Sequence, residues 1–120
     1  MEERRKYPRL SKNLPLKIQQ SPDKDFDIAT ETKNISANGA YCAVSCPIEP
    51  MTKLQLTLLV SLHGPKMKKI RKITCQGIVV RKERNPNDKK YPYQIGIFFN
   101  AIDSLDKKFL QSYVNSSLKW

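Results

Sequence analysis

The chain has 120 residues, of which 39% are hydrophobic, and its 22 Lys and Arg outnumber its 11 Asp and Glu to give a net charge of +11. This length predicts one domain with a single modest core, and the grouping of apolar residues into runs such as 54–62 and 95–99 is not typical of disorder. The charge indicates a polyanionic partner, which leaves nucleic acid, a nucleotide, an anionic membrane and an acidic protein open.

The pattern along the chain is mostly that of short strands. Residues 1–13 are charged, contain Pro8 and read as an extended arm. Alternation of apolar and polar residues, interrupted by turn residues, then predicts six strands. They cover residues 14–19, 26–35, 40–45, 53–62, 73–84 and 91–100.

Details within these segments add further expectations. Asn38-Gly39 predicts a turn because both residues tolerate positive φ, and Gly77 predicts a bulge or a bend. Residues 66–72 form a basic stretch that we expect to be a solvated hairpin.

Only the tail has helical spacing. Leu105, Phe109, Leu110, Tyr113 and Val114 recur on one face, after Asp103 or Ser104 as the cap. We expect Trp120 to anchor the end of the chain on the body or to be disordered. Strands at roughly ten-residue intervals followed by one helix predict a small antiparallel barrel or sandwich.

Several functional classes are disfavoured by the residues present. No apolar run reaches the ~18–20 residues that span a bilayer, and the charged start is not a secretory signal, so we expect a soluble cytoplasmic protein. Three cysteines without CxxC spacing and a single histidine predict small apolar residues in a reducing compartment and no metal site. The chain also lacks a paired acid–base arrangement, a P-loop and a Rossmann glycine pattern, so we expect no enzyme activity and no cofactor.

Two short motifs, about 25 residues apart, carry most of the chemistry. The first is Arg4-Arg5-Lys6-Tyr7-Pro8-Arg9 in the arm, and the second is Asn34-Ile35-Ser36-Ala37-Asn38-Gly39 at the end of a predicted strand. Guanidinium groups form bidentate hydrogen bonds with phosphates and stack on flat rings. Together the motifs favour a small, flat, doubly phosphorylated ligand. Taken separately they are also what a solvated basic tail and an ordinary turn look like.

In this order and separation, the motifs resemble those of the PilZ domain family, RxxxR followed by [D/N]xSxxG. The late segment Tyr93-Gln94-Ile95-Gly96-Ile97-Phe98-Phe99 is similar to the family's glycine-containing strand. The resemblance covers nearly the whole chain and implies a stand-alone, six-stranded antiparallel β-barrel. Residues 1–13 would be a flexible ligand-binding arm, and residues 14–120 would be the barrel with its C-terminal helix.

The resemblance implies binding of cyclic di-GMP and signalling to a downstream partner through a change in the arm. The expected ligand-binding residues are Arg4, Arg5, Arg9, Asn34, Ser36 and Gly39. Arginines would contact phosphates and guanine edges, and Arg4 resembles the residue that in some members favours an intercalated ligand dimer. Two alternatives stay open: a PilZ-like protein-docking adaptor that binds no nucleotide, and a basic small-barrel nucleic-acid binder. The pathway, affinity and oligomeric state are not predicted.

Overall fold

The structure, a computed structural model, describes residues 8–19, 27–63 and 68–118. Six antiparallel strands form a closed barrel with the neighbour order β1-β2-β3-β6-β5-β4. The strands are β1 (Pro15–Gln19), β2 (Asp27–Ile35), β3 (Gly39–Val44), β4 (Lys53–His63), β5 (Lys68–Arg84) and β6 (Tyr93–Ala101). One helix, α1 (Ser104–Leu118), follows them. The predicted β-barrel with a C-terminal helix is confirmed.

The core forms because alternate residues of each strand are apolar. In β4, Leu54, Leu56, Leu58 and Val60 all point inward and are buried. Each such side chain contributes about 1.5–3 kcal/mol when it leaves water. The inward-facing residues of the other strands complete a single core inside the barrel.

Helix α1 packs against the barrel core. The Leu105 N–H donates a hydrogen bond to Asp103 Oδ1 at 2.8 Å, so Asp103 is the N-cap residue. Leu110 and Val114 are buried, and Phe109 and Tyr113 are partly buried against the core, as their spacing predicts. Leu105 differs, because its side chain is exposed. Within the described residues, no helix is both long enough and apolar enough to cross a membrane.

The predicted start of the fifth strand was wrong. β5 begins at Lys68 rather than at residue 73, and its 17 residues make it the longest strand described. The basic residues continue the strand because they pair with β4 as far as His63↔Lys68. The predicted turn at Asn38-Gly39 is present, although neither residue adopts a positive φ. Among the described residues only Met51 has a positive φ.

Candidate functional site

The base of the predicted arm is hydrogen-bonded to β2. Leu10 and Ile35 exchange two backbone hydrogen bonds, of 2.8 and 2.9 Å. The fully buried Thr32 hydroxyl donates to the Lys12 carbonyl at 2.6 Å and accepts from the Leu14 N–H at 2.9 Å. Residues 10–14 are therefore held against the sheet.

The two sequence motifs meet at this point. Arg9 Nη1 donates a hydrogen bond to Asn34 Oδ1 at 2.7 Å, although the two residues are 25 positions apart. The pairing of Leu10 with Ile35 holds the neighbouring backbones together and so brings these side chains into contact. Two other predicted site residues, Arg4 and Arg5, lie outside the described residues.

Ser36 and Gly39 lie behind the site and shape the turn between β2 and β3. The fully buried Ser36 hydroxyl donates to Asn38 Oδ1 at 2.6 Å, and the Ser36 N–H donates to the Gly39 carbonyl at 2.9 Å. Gly39 is required because a Cβ at this position would collide with the backbone carbonyl oxygen of Ile97. Both residues thus shape the turn that follows Asn34, and a direct contact of either with a ligand stays a prediction.

Asn34 begins a row of residues that crosses four strands. Asn34 of β2 pairs with Tyr41 of β3, Tyr41 pairs with Gly96 of β6, and Gly96 pairs with Arg81 of β5. Paired residues of adjacent strands lie on the same face of a sheet, and three strand spacings make the row about 14 Å long. We call these four residues the binding row.

Two irregularities in strand pairing put both ends of the binding row on the outer face. In β2 the register shifts between Thr32, which is fully buried, and Asn34; in β5 it shifts between Val79, also fully buried, and Arg81. Strict alternation would direct Asn34 and Arg81 inward, because each lies two residues after a buried one. An extra residue in each strand reverses this, as β-bulges near functional sites often do.

The binding row forms the floor of an open cleft. Its volume is about 630 Å³, a size suited to a small ligand. Gly96 leaves the middle of the floor free of side chains, between Tyr41 and Arg81. The lining residues are Arg9, Asn34, Tyr41, Val80, Arg81, Glu83, Gly96 and Ile97.

A second groove of about 620 Å³ lies between α1 and the barrel. The cleft above the binding row and this groove therefore cannot be distinguished as ligand sites by their volumes. They differ in the chemistry of the residues that line them. The second groove contains serine hydroxyls, Phe109, Tyr113 and a single cation, Lys12, with none of the predicted site residues. The cleft above the binding row has two arginines and the motif residue Asn34.

A polar network lies along one side of the cleft. The Tyr41 hydroxyl donates to Glu83 Oε2 at 3.0 Å and lies 2.9 Å from Gln94 Oε1. Arg81 Nη2 pairs with Glu83 Oε1 at 2.6 Å. Burial, together with the hydrogen bond to Glu83 and the charge of its carboxylate, raises the pKa of Tyr41 above its ordinary value of 10.0. The phenol is therefore a neutral hydrogen-bond donor at physiological pH.

The cysteines lie away from this cleft. Cys42 and Cys75 are buried in the core, as predicted for small apolar residues, and burial raises the pKa of each thiol to about 12. In the part of the chain that the structure describes, no three His, Cys, Asp or Glu residues are grouped to hold a metal ion.

Comparison with known proteins identifies the family. The family model described as PilZ domain matches residues 3–116. The chain belongs to the PilZ domain family. The PilZ family consists of binding and adaptor proteins, and the match includes both motifs. No curated protein sequence matches the chain.

Solved PilZ structures share this fold. The Bacillus subtilis inhibitor of motility, MotI/DgrA, is 22% identical with a TM-score of 0.81, over 98% of this chain and 52% of that one. YcgR from Escherichia coli, in complex with c-di-GMP, is 11% identical with a TM-score of 0.68, over 98% and 47%. The PilZ domain of YcgR with c-di-GMP is 15% identical with a TM-score of 0.60, over 95% and 91%. The chain thus spans about half the length of MotI/DgrA and YcgR, and the likeness concerns the fold.

Of the eight residues that line the cleft, only Arg9 and Asn34 were predicted from the sequence as site residues. Tyr41, Val80, Arg81 and Glu83 line the cleft, but none of them belongs to either motif. The available signal was Gly96 in the late PilZ strand, because a glycine on the outer face of a central strand leaves room between its neighbours.

Proposed function

We propose that this PilZ protein binds cyclic di-GMP in the cleft above the binding row and passes the signal to a partner protein. One observation carries the proposal: Arg9 of the first motif contacts Asn34 of the second, at the end of a row that reaches Arg81. The c-di-GMP in the two YcgR structures supports the same ligand class.

The cleft matches the chemistry of a cyclic dinucleotide. Such a ligand has two phosphates and two flat guanines, and the cleft has arginines at both ends of a floor about 14 Å long. Guanidinium groups bind phosphate oxygens or the O6 and N7 acceptors of guanine, and they stack on ring faces. Asn34 supplies a polar contact at one end, and Gly96 leaves space for the ligand along the floor.

The signal would be transmitted by the segment before Leu10. Arg4 and Arg5 close over the bound nucleotide, while residues 10–14 stay fixed to β2 and act as the hinge base. Ordering of this segment changes the surface that a partner meets. In this scheme Arg4 favours an intercalated ligand dimer, so titration would give two nucleotides per protein.

Calorimetric titration with cyclic di-GMP tests the proposal. We expect saturable binding that Arg9→Ala and Asn34→Ala each weaken at least about tenfold, the equivalent of ~1.4 kcal/mol. Arg84→Ala is the matched control, because it removes an exposed arginine from β5 that does not line the cleft. GTP serves as the ligand control.

The proposal fails if the wild-type protein gives no heat with cyclic di-GMP, or if Arg84→Ala weakens binding as much as Arg9→Ala does. Equal losses would mean that the affinity depends only on the net charge of the protein, as it does in a nucleic-acid binder. The affinity would then also fall steeply with salt concentration. Such a binder needs exposed aromatic residues on one face; Tyr93 packs against the core, whereas Phe98 of the same strand is exposed.

A further inference from the structure

The cleft contains one carboxylate where two phosphates are proposed to bind. Glu83 lies on the same strand and the same face as Arg81, and its side chain is 41% exposed to solvent. A negative charge in this position weakens the binding of any anionic ligand, unless the carboxylate itself meets hydrogen-bond donors of that ligand. The position of Glu83 therefore indicates which part of the ligand it faces.

The geometry of Glu83 fixes its orientation and leaves part of its hydrogen-bonding capacity available. Oε1 accepts from Arg81 Nη2 at 2.6 Å, and Oε2 accepts from the Tyr41 hydroxyl at 3.0 Å. The two oxygens of an ionised carboxylate offer about four acceptor sites in all, so both can accept again. Gln94, opposite Glu83 in the strand pairing, also contacts the Tyr41 hydroxyl. The carboxylate is thus held in place before any ligand arrives.

The donor pattern that fits two carboxylate oxygens is the edge of guanine that carries N1–H and the N2 amino group. Both groups are donors, and they lie side by side. Adenine presents an acceptor at N1 beside its N6 amino donor and has no N2 amino group, so its edge offers a carboxylate one donor where the guanine edge offers two. A site built to accept from a base rejects an analogue without those donors far more strongly than an apolar pocket can.

We propose that Glu83 is the base-specificity residue of the cleft: its carboxylate, positioned by Tyr41 and Arg81, accepts hydrogen bonds from N1–H and N2–H of one guanine and selects cyclic di-GMP over cyclic di-AMP. This inference rests on the proposed function. It assigns to Glu83 a role that neither sequence motif contains.

The test is the ratio of affinities for cyclic di-GMP and cyclic di-AMP in the wild-type protein and in Glu83→Gln. Glutamine keeps the size and the acceptor for Tyr41, but it loses the charge and directs an amino group at the guanine donors. We expect cyclic di-GMP to bind about tenfold to a hundredfold more weakly, since a hydrogen bond to a charged group is lost. Cyclic di-AMP affinity stays unchanged or rises, because a repulsive charge has been removed.

Two further variants separate specificity from folding. Glu49→Gln is the matched control, because Glu49 pairs with Lys82 at 2.6 Å and does not line the cleft, and we expect it to leave the ratio unchanged. Tyr41→Phe removes only the hydroxyl that positions Glu83, and we expect it to lower the ratio by a smaller factor.

The outcomes also separate the inference from the proposed function. If wild-type protein binds cyclic di-GMP and Glu83→Gln keeps the same ratio, or weakens both nucleotides equally, the inference is overturned while the proposed function stands. If wild-type protein binds neither nucleotide, both are overturned. A lowered ratio in Glu83→Gln with an unchanged ratio in Glu49→Gln supports the assignment.

Discussion

Gly96 sits in the middle of the cleft floor because β6 passes between Tyr41 and Arg81 at this point. A Cβ built on Gly96 would lie 3.3 Å from Arg81 Cβ and 3.8 Å from Tyr41 Cδ1. A small methyl group needs only a slight adjustment of these neighbours, whereas a branched side chain would fill the space between them. The residue therefore matters to the ligand more than to the fold.

We accordingly predict that Gly96→Val lowers the affinity for cyclic di-GMP at least about tenfold while the barrel still folds, since valine favours strands. Calorimetry and thermal unfolding measure the two effects. Thr74→Val, an exposed substitution on β5 that does not line the cleft, is the control and is expected to bind normally. Full affinity in Gly96→Val would show that the ligand does not lie across the floor.

Tyr41 gives a prediction about pH. The neutral phenol is favoured in the folded protein, so its contribution to stability is complete below 10.0, the ordinary pKa, and is lost as the pH rises through the higher folded-state pKa. Ultraviolet titration of phenolate, with Tyr41→Phe subtracted, measures this pKa. Glu83→Gln is expected to move it towards 10.0, because the negative charge of the carboxylate is removed while the burial of Tyr41 is unchanged. An unchanged titration in that variant would contradict the hydrogen bond between the two residues.

At the scale of the elements, the bulges explain which site residues could be predicted. The PilZ resemblance pointed to Arg9 and Asn34, and the structure brings them together. Arg81 was beyond prediction, because plain alternation from the apolar Val79 directs it into the core. Bulge positions depend on pairing between strands distant in sequence, so a local pattern does not contain them. Strand number and the helix were predictable because they follow from local periodicity.

Besides the backbone hydrogen bonds of Leu10, the Thr32 hydroxyl makes two of the hydrogen bonds that hold the arm base to β2. Thr32→Val keeps the shape but leaves the Lys12 carbonyl and the Leu14 N–H without this partner, and each loss costs about 1–3 kcal/mol. We predict that the free energy of unfolding falls by about 2–4 kcal/mol and that cyclic di-GMP binding weakens. Urea denaturation and calorimetry measure the two effects.

Thr30→Val is the matched control for Thr32→Val. Thr30 donates one hydrogen bond, to the Ala43 carbonyl at 2.6 Å, and this bond does not involve residues 10–14. This variant is expected to lose about 1 kcal/mol and to bind normally. If both variants bind equally well, the hinge base assigned to residues 10–14 is wrong.

Across the whole molecule, a net charge of +11 attracts any polyanion, so binding alone does not locate a ligand. Two grooves of similar volume are available, one above the binding row and one between α1 and the barrel. The first groove differs in its local chemistry, because residues from β2, β3, β5 and β6 converge there with Arg9. The position of the cyclic di-GMP site must therefore be measured separately from the affinity for the ligand.

The most direct measurement is the change in backbone amide signals by nuclear magnetic resonance during titration with cyclic di-GMP. We predict the largest changes at Asn34, Tyr41, Arg81 and Gly96, with little change at Ser61 and Ser112 in the second groove. Changes centred on Ser61 and Ser112, or spread evenly over basic residues, would contradict a cyclic di-GMP site on the binding row.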